Sequence, residues 1–338
     1  MTHVFVAASH SSYLSSIGII KLLGLLPSDV IFLFARHYKC KYHLETYKTY
    51  DVSDDYIIYF RNNTRNGIQE KISQIDDFID KTIAGDYTLY IANLSFPYHQ
   101  IWATNAKCCD IKLIQEGIID FCSKVKVTSA MYCWLVNALM IKSARVWKSY
   151  KWNTTKRLRS GVSISETFAI TDKLYNDIDV KHSIIEWPKF ELDKSISRDS
   201  PVFVFESAVE MRLIPCNIYM DAVKKIVGHY AGARNYVKFH PFQSEDNKKM
   251  ILGIFRETNL VVEKLPDDVP FEIILSSQKG LRVYGFSTSL VFFATILGHN
   301  AISFVPMLLQ SSKFKKYWRE FYCHLKRYGD NYFKFQSN

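Results

Sequence analysis

Residues 110–117 read DIKLIQEG: a short apolar strand through Gln115, then an acid, Glu116, then Gly117, which lets the chain turn sharply. The same pattern recurs on either side. Upstream, residues 4–8, 30–35, 55–60 and 87–93 are apolar, β-branched or aromatic runs that predict strands. The polar loop SHSSYLSS (9–16) follows the first run and leads into a helix that reaches Leu23. LSFPYHQ (94–100) is expected as a loop. Residues 71–83 predict an amphipathic helix, with Gly85 just beyond its end. Downstream, the strands expected are 202–205, 236–239, 260–262, 281–284 and 301–304. The helices expected are 218–229 with Asn217 as its cap, 270–276, 290–297 and a basic, aromatic C-terminal helix from Ser311. Short apolar runs alternating with longer amphipathic ones mark an α/β chain built on mainly parallel sheets.

At 338 residues the chain is too long for one typical core and about right for two. The segment 184–201, with Pro188 and Pro201, reads as the linker. It divides the chain into residues 1–190 and 191–338. A hydrophobic content of 48% supplies both cores, and 22% charged residues argue against disorder.

The net charge is +10, which favours anionic partners without choosing among them. No recognised nucleic-acid-binding motif accompanies it. Residues 142–159 carry seven of the cations and no acid, and read equally as a solvated face or as a surface for an acidic glycan or membrane. Seven cysteines, an odd number with no C-x-x-C pair, fit reduced thiols in a cytosolic compartment. No leader peptide is expected, and the apolar stretch 17–34 is interrupted by Lys21, Pro27 and Asp29.

In open α/β sheets ligands sit beyond the carboxyl ends of strands. Three such places hold reactive residue types. Glu116 follows its strand directly and reads either as an acid or base in a cleft or as a solvated turn residue. His240-Pro241 ends the run YVKFHPF (236–242), where the imidazole either serves a phosphate or is simply packed. GFSTS (285–289) precedes an apolar helix. Its small hydroxyl residues are either an ordinary cap or, with the free N–H groups and helix dipole, an anion site. Ser9, His10 and Ser11, after the first strand, would line the other side of such a cleft.

The order E-G, then H-P, then S-T-S resembles the bacterial sialyltransferases of GT-B fold, the lipooligosaccharide sialyltransferases and capsular polysialyltransferases. Their shared pattern is [D/E]-[D/E]-G, H-P and a serine-rich motif. Gln115 departs from it where the family has a first acid. The resemblance implies the GT-B plan, two Rossmann-like domains facing a central cleft. It implies an inverting transferase that moves sialic acid from CMP-sialic acid to a lipooligosaccharide or capsule glycan.

Glu116, beside Gly117, would be the general base. His240, with Pro241, would meet the CMP phosphate, and Gly285, Ser287, Thr288 and Ser289 would hold that phosphate at a helix start. No cofactor and no metal are expected, since no D-x-D sequence occurs in a comparable strand-end loop. The N-terminal domain would take the acceptor and the C-terminal one the donor. The partners expected are a CMP-sugar and an acidic or galactose-terminated glycan, and nucleic acid is not expected. Peripheral membrane contact and a homodimer stay open, with a cytoplasmic location at or near the inner membrane face. Two other readings stay open: another CMP-activated sugar such as Kdo, and a basic nucleic-acid-binding protein without catalysis.

Overall fold

A computed structural model describes residues 1–36, 38, 45–56, 65–117, 130–135, 137–138, 143, 145–147, 163–172, 179–192, 195–286, 288–316 and 334–335. It divides into two compact units, Met1–Pro188 and Lys189–Asn338.

The first unit is a seven-stranded parallel sheet. Its strands in chain order are β1 (Thr2–Ala7), β2 (Val30–Phe34), β3 (Lys48–Asp51), β4 (Tyr87–Ile91), β5 (Cys108–Ile114), β6 (Ile164–Ala169) and β7 (Lys181–Ile184). In space they run β3-β2-β1-β4-β5-β6-β7. The strand order reverses between β1 and β4, which is where such sheets open a binding crevice. Every residue of β4, and Val4–Ala7 of β1, is buried, as a sheet covered on both faces requires.

Its helices are α1 (His10–Leu23), α2 (Ser53–Tyr56), α3 (Arg65–Thr82), α4 (Pro97–Ala103) and α5 (Ala130–Leu135). Ser9 caps α1 in a reciprocal box: its hydroxyl accepts from Ser12 N–H, and Ser12 Oγ accepts from Ser9 N–H at 3.1 Å. Gly24 ends α1 at φ 63°, a left-handed turn that glycine adopts without strain. Ser11 to Ile20 are buried throughout, so α1 lies inside the unit. Gly18 gives it room, because a Cβ there would stand 2.5 Å from the Glu186 carbonyl oxygen.

The second unit is a six-stranded parallel sheet. Its strands are β8 (Pro201–Val204), β9 (Arg234–Lys238), β10 (Val261–Lys264), β11 (Arg282–Gly285), β12 (Asn300–Ser303) and β13 (Lys334–Phe335), in the spatial order β10-β9-β8-β11-β12-β13. Here the order reverses between β8 and β11. Its helices are α6 (Cys216–Tyr230), α7 (Glu245–Glu257), α8 (Phe271–Ser277), α9 (Thr288–Ile296) and α10 (Val305–Leu308). The core packs Phe203, Phe205, Tyr219, Phe255 and Phe286 between sheet and helices. Residues 312–316 are helical, and Phe314 is buried against this same core. Residues 317–333 of the expected C-terminal helix lie outside the described residues. Among the described residues no helix is long and apolar enough to cross a membrane.

Several elements differ from expectation. Residues 9–16 are not a loop but the cap and first two turns of α1. Asp55 and Tyr56 belong to α2, not to a strand, and 57–60 lie outside the described residues. The third strand is instead Lys48–Asp51, an edge strand that is mostly exposed and so lacks an apolar run. Part of the expected loop 94–100 opens α4, with Pro97 at the first helical position. Asn217 lies within α6, whose cap position is Pro215, and no side chain caps it.

One buried charge group holds the first sheet's outer strands together. Glu166 on β6 is 5% exposed at its side chain and accepts from Lys112 (2.8 Å), Lys181 (2.6 Å) and Ser183 (2.6 Å). Burial alone would raise its pKa, but these donors together pull it down to about 2. A carboxyl held below its unfolded value stabilises above that value and loses the contribution as pH falls toward 2. Glu166→Ala leaves Lys112 with Asp110, at 3.9 Å, and is expected to lower stability by about 3 kcal/mol at pH 7 in urea titration. The difference from wild type should shrink below about pH 4. An unchanged midpoint at pH 7 would show that the cluster contributes nothing.

Candidate functional site

The reactive residues occupy the carboxyl ends of the strands in each unit. In the first unit β5 ends at Ile114. Gln115 is fully buried. Its N–H donates to the Phe168 carbonyl at 3.0 Å, and its Oε1 accepts from Ile170 N–H at 2.9 Å. This ties the end of β5 to the end of β6. Of the two bonds only the second uses the side chain, and an amide oxygen accepts it without burying a charge.

Glu116 comes next. Ser11 donates its hydroxyl to the Glu116 carbonyl, so the start of α1 fixes the backbone at this turn. The Glu116 side chain is 13% exposed, and Arg36 Nη1 stands 3.5 Å from its Oε1. Burial raises its pKa, and Arg36 opposes the rise without cancelling it. Around this pair stand Tyr56, Phe96 and His99, whose rings meet at 5.4–5.5 Å. The His99 Nδ1 lies 2.6 Å from the Asn93 carbonyl, which can only accept, so Nδ1 carries the proton. Burial pushes this imidazole down to about 3 and keeps it neutral.

Of the three residues after β1, Ser9 is the α1 cap, and His10 pairs with Tyr38 (Nδ1 to Oη 3.1 Å). Ser11 is brought to Glu116, whose main-chain carbonyl it bonds. Gly117 is half-buried beside it.

In the second unit β9 runs out through Phe239 to His240. The His240 N–H donates to Gln243 Oε1 at 2.9 Å, and its Nδ1 accepts from Phe242 N–H at 3.2 Å. That acceptor role places the ring proton on Nε2, which faces Glu206 Oε1 at 3.7 Å. Burial lowers the His240 pKa, and Glu210 acts against that. Pro241 is exposed and ends the run.

Glu206 was not singled out from sequence, although it too follows a buried strand, β8. Its main chain is held at both ends by the buried Tyr219 hydroxyl, which accepts from Glu206 N–H and donates to its carbonyl at 3.1 Å each. Glu210 Oε1 accepts from Ser244 N–H (2.8 Å) and Asn247 Nδ2 (2.6 Å) at the start of α7. Arg36 was likewise missed, and it too lies just past a buried strand.

Ser287 lies outside the described residues. Thr288 and Ser289 are the first two residues of α9. Gly285 ends β11, and its lack of a side chain answers to the sheet: a Cβ there would overlap the Val204 carbonyl of β8. Lys238, two residues before His240, is 6% exposed and donates to the Pro266 (2.5 Å) and Val269 (2.7 Å) carbonyls. Burial brings its pKa down to about 8. In the basic stretch 142–159, Arg145 is the described cation. It closes its fork on Asp76 and also meets the Ile101 carbonyl, so its part is structural. The stretch's other cations lie outside the described residues.

No family model matches the chain, and no curated protein does either. Solved structures do. A sialyltransferase from Photobacterium damsela superposes with a TM-score of 0.50 at 13% identity, over 99% of this chain and 81% of that one. A protein assigned as a UDP-N-acetylglucosamine 2-epimerase from Listeria monocytogenes superposes with a TM-score of 0.51 at 9% identity, over 98% and 93%. At such identities the likeness speaks for the fold, which is the two-domain α/β GT-B fold.

Gly285→Ala tests the tight approach at the second unit's switch point. Forcing a methyl against the Val204 carbonyl is expected to cost about 2 kcal/mol or more in chemical denaturation. A variant as stable as wild type would mean that β8 and β11 yield freely there.

Proposed function

We propose that the chain is an inverting, metal-independent glycosyltransferase that moves sialic acid from CMP-sialic acid to a bacterial surface glycan. The observation that carries the reading is the pairing of roles on one GT-B fold. A largely desolvated carboxyl, Glu116, lies just past a strand of the first unit. A histidine with its proton on Nε2, His240, ends a strand of the second, one strand from that unit's switch point. In this reading Met1–Pro188 takes the acceptor and Lys189–Asn338 the donor.

The chemistry follows from those states. As a carboxylate, Glu116 accepts the proton of the acceptor hydroxyl, and its raised pKa makes it a better base than an exposed glutamate. The acceptor oxygen bonds to the anomeric carbon of the sugar as the bond from that carbon to the phosphate oxygen breaks. Charge gathers on the leaving CMP phosphate. The His240 Nε2–H donates to it, and the N-terminal N–H groups of α9, with Ser287, Thr288 and Ser289, hold it. One displacement from the face opposite the leaving group inverts the anomeric centre. The same groups suit another CMP-activated sugar such as Kdo. The proposal keeps a cytoplasmic location with no cofactor.

The test is CMP release from CMP-sialic acid with galactoside and sialoside acceptors, in the presence of EDTA. Glu116→Gln is expected to lower kcat by about 10²–10⁴-fold. His240→Ala is expected to lower it by about 10²–10³-fold. The wild-type rate should fall on the acid side through a pKa above the ordinary glutamate value of about 4.3. Neither CMP release nor protection by CMP against thermal unfolding would sink this reading and favour a non-catalytic binding protein. Release driven only by UDP-sugars, or only after metal is added, would overturn the donor or the metal independence.

A further inference from the structure

Two arginines of the first unit make opposite use of the same side chain. Arg145 closes its guanidinium fork on Asp76, with Nη2 to Oδ1 at 2.9 Å and Nη1 to the second oxygen. It adds the Ile101 carbonyl and the Thr104 hydroxyl. Arg36 does none of this. Its Nη1 stands 3.5 Å from Glu116 Oε1, and its side chain also reaches the Tyr56 hydroxyl. A closed arginine–carboxylate pair is bidentate at about 2.7–2.9 Å. Glu116 is thus near enough to feel the charge and too far to occupy the fork.

The structure nevertheless holds Arg36 in place. It lies two residues past β2, at the carboxyl end of the sheet where Glu116 ends β5. Its φ of 58° is left-handed, a conformation that costs a residue other than glycine about 1 kcal/mol or more. Its guanidinium stands over two rings, 4.9 Å from the Phe96 centroid and 5.4 Å from that of Tyr56. Tyr56 is buried, so that platform is fixed. Stacking uses the faces of a guanidinium and leaves its N–H edge for an anion. The side chain remains 38% exposed.

We infer that Arg36 is a carboxylate-reading subsite: it takes a sugar carboxylate of the acceptor, a sialic or uronic acid, in a bidentate pair next to the hydroxyl that Glu116 deprotonates. The assignment to an acceptor rests on the transferase reading above, which gives Glu116 to the acceptor hydroxyl. The carboxylate chemistry itself rests on a fork that Glu116 does not close. The consequence is a preference for acidic over neutral acceptor termini. A lysine in its place would supply charge without the fork.

Binding tests this without any transfer. Calorimetry on the full chain would compare a sialyl-galactoside with its methyl ester, which keeps the sugar and removes the charge. Wild type is expected to bind the acid about 10–100-fold more tightly. Arg36→Asn is the variant of choice, because asparagine adopts the left-handed conformation readily and the backbone is preserved. It should bring the two affinities together while leaving that of the ester in place. Equal binding of acid and ester by wild type, or a preference that survives in Arg36→Asn, overturns the inference. Should that variant not fold, Arg36→Lys must lose several-fold of the preference, and an unchanged preference overturns the inference equally. The donor is a second source of a sugar carboxylate. A loss of CMP-sialic acid affinity in Arg36→Asn as large as that for the acid glycoside, read by thermal shift, would overturn the acceptor assignment. A wild type that distinguishes acid from ester yet releases no CMP would keep the subsite and fail the transferase reading alone.

Discussion

Burial of both faces of two parallel sheets is the constraint on which the rest of this molecule depends. Strands such as β4 and β8 are buried along their whole length, as sheets covered on both faces require. No polar side chain can act from the middle of such a strand without a large desolvation cost. Function is confined to the residues that come just after, where the backbone leaves the sheet. Glu116, Arg36, His240 and Glu206 all occupy that kind of position.

The buried carboxyls show how the same fold sets opposite electrostatic states. Glu166 and Glu116 are both largely withdrawn from water. Glu166 has two lysines and a serine in direct contact, and these overcome the burial. Glu116 has one arginine at the limit of hydrogen bonding, and burial prevails. The first carboxyl is locked as an anion that joins β5, β6 and β7. The second is left able to exchange a proton. The histidines divide in the same way. His99 is sealed and neutral, whereas His240 keeps about a third of its side chain exposed and points its Nε2 toward Glu206.

Much of the architecture was legible in the residues because central strands carry an unmistakable apolar run. Residues 30–35, 87–93 and 202–205 read as strands and are β2, β4 and β8 with ends shifted by one or two positions. Edge strands escaped, and so did the interior strand β6, whose apolar run is broken by Ser165, Glu166 and Thr167. Lys48–Asp51 and Lys181–Ile184 face solvent with charged residues and carry no run to read. The helix α7 also escaped, although Ser244 caps it through Asn247 N–H, a pattern visible in the sequence. SHSSYLSS reads as a polar loop after a strand. In the fold those serines instead cap α1 and hydrogen-bond inside it, with Ser16 Oγ donating to the Ser12 carbonyl at 2.7 Å.

The sequence by itself determined the fold class and the strand ends worth examining, since both follow from local hydrophobic period and from where it stops. Only the tertiary structure decided what each group at those ends meets. It set Arg36 beside a glutamate 80 residues away, closed Arg145 on Asp76, and buried Lys238 under carbonyls of the segment 266–269. These partners come from distant parts of the chain. Their distances, and therefore their charge states, exist only once the sheets have assembled.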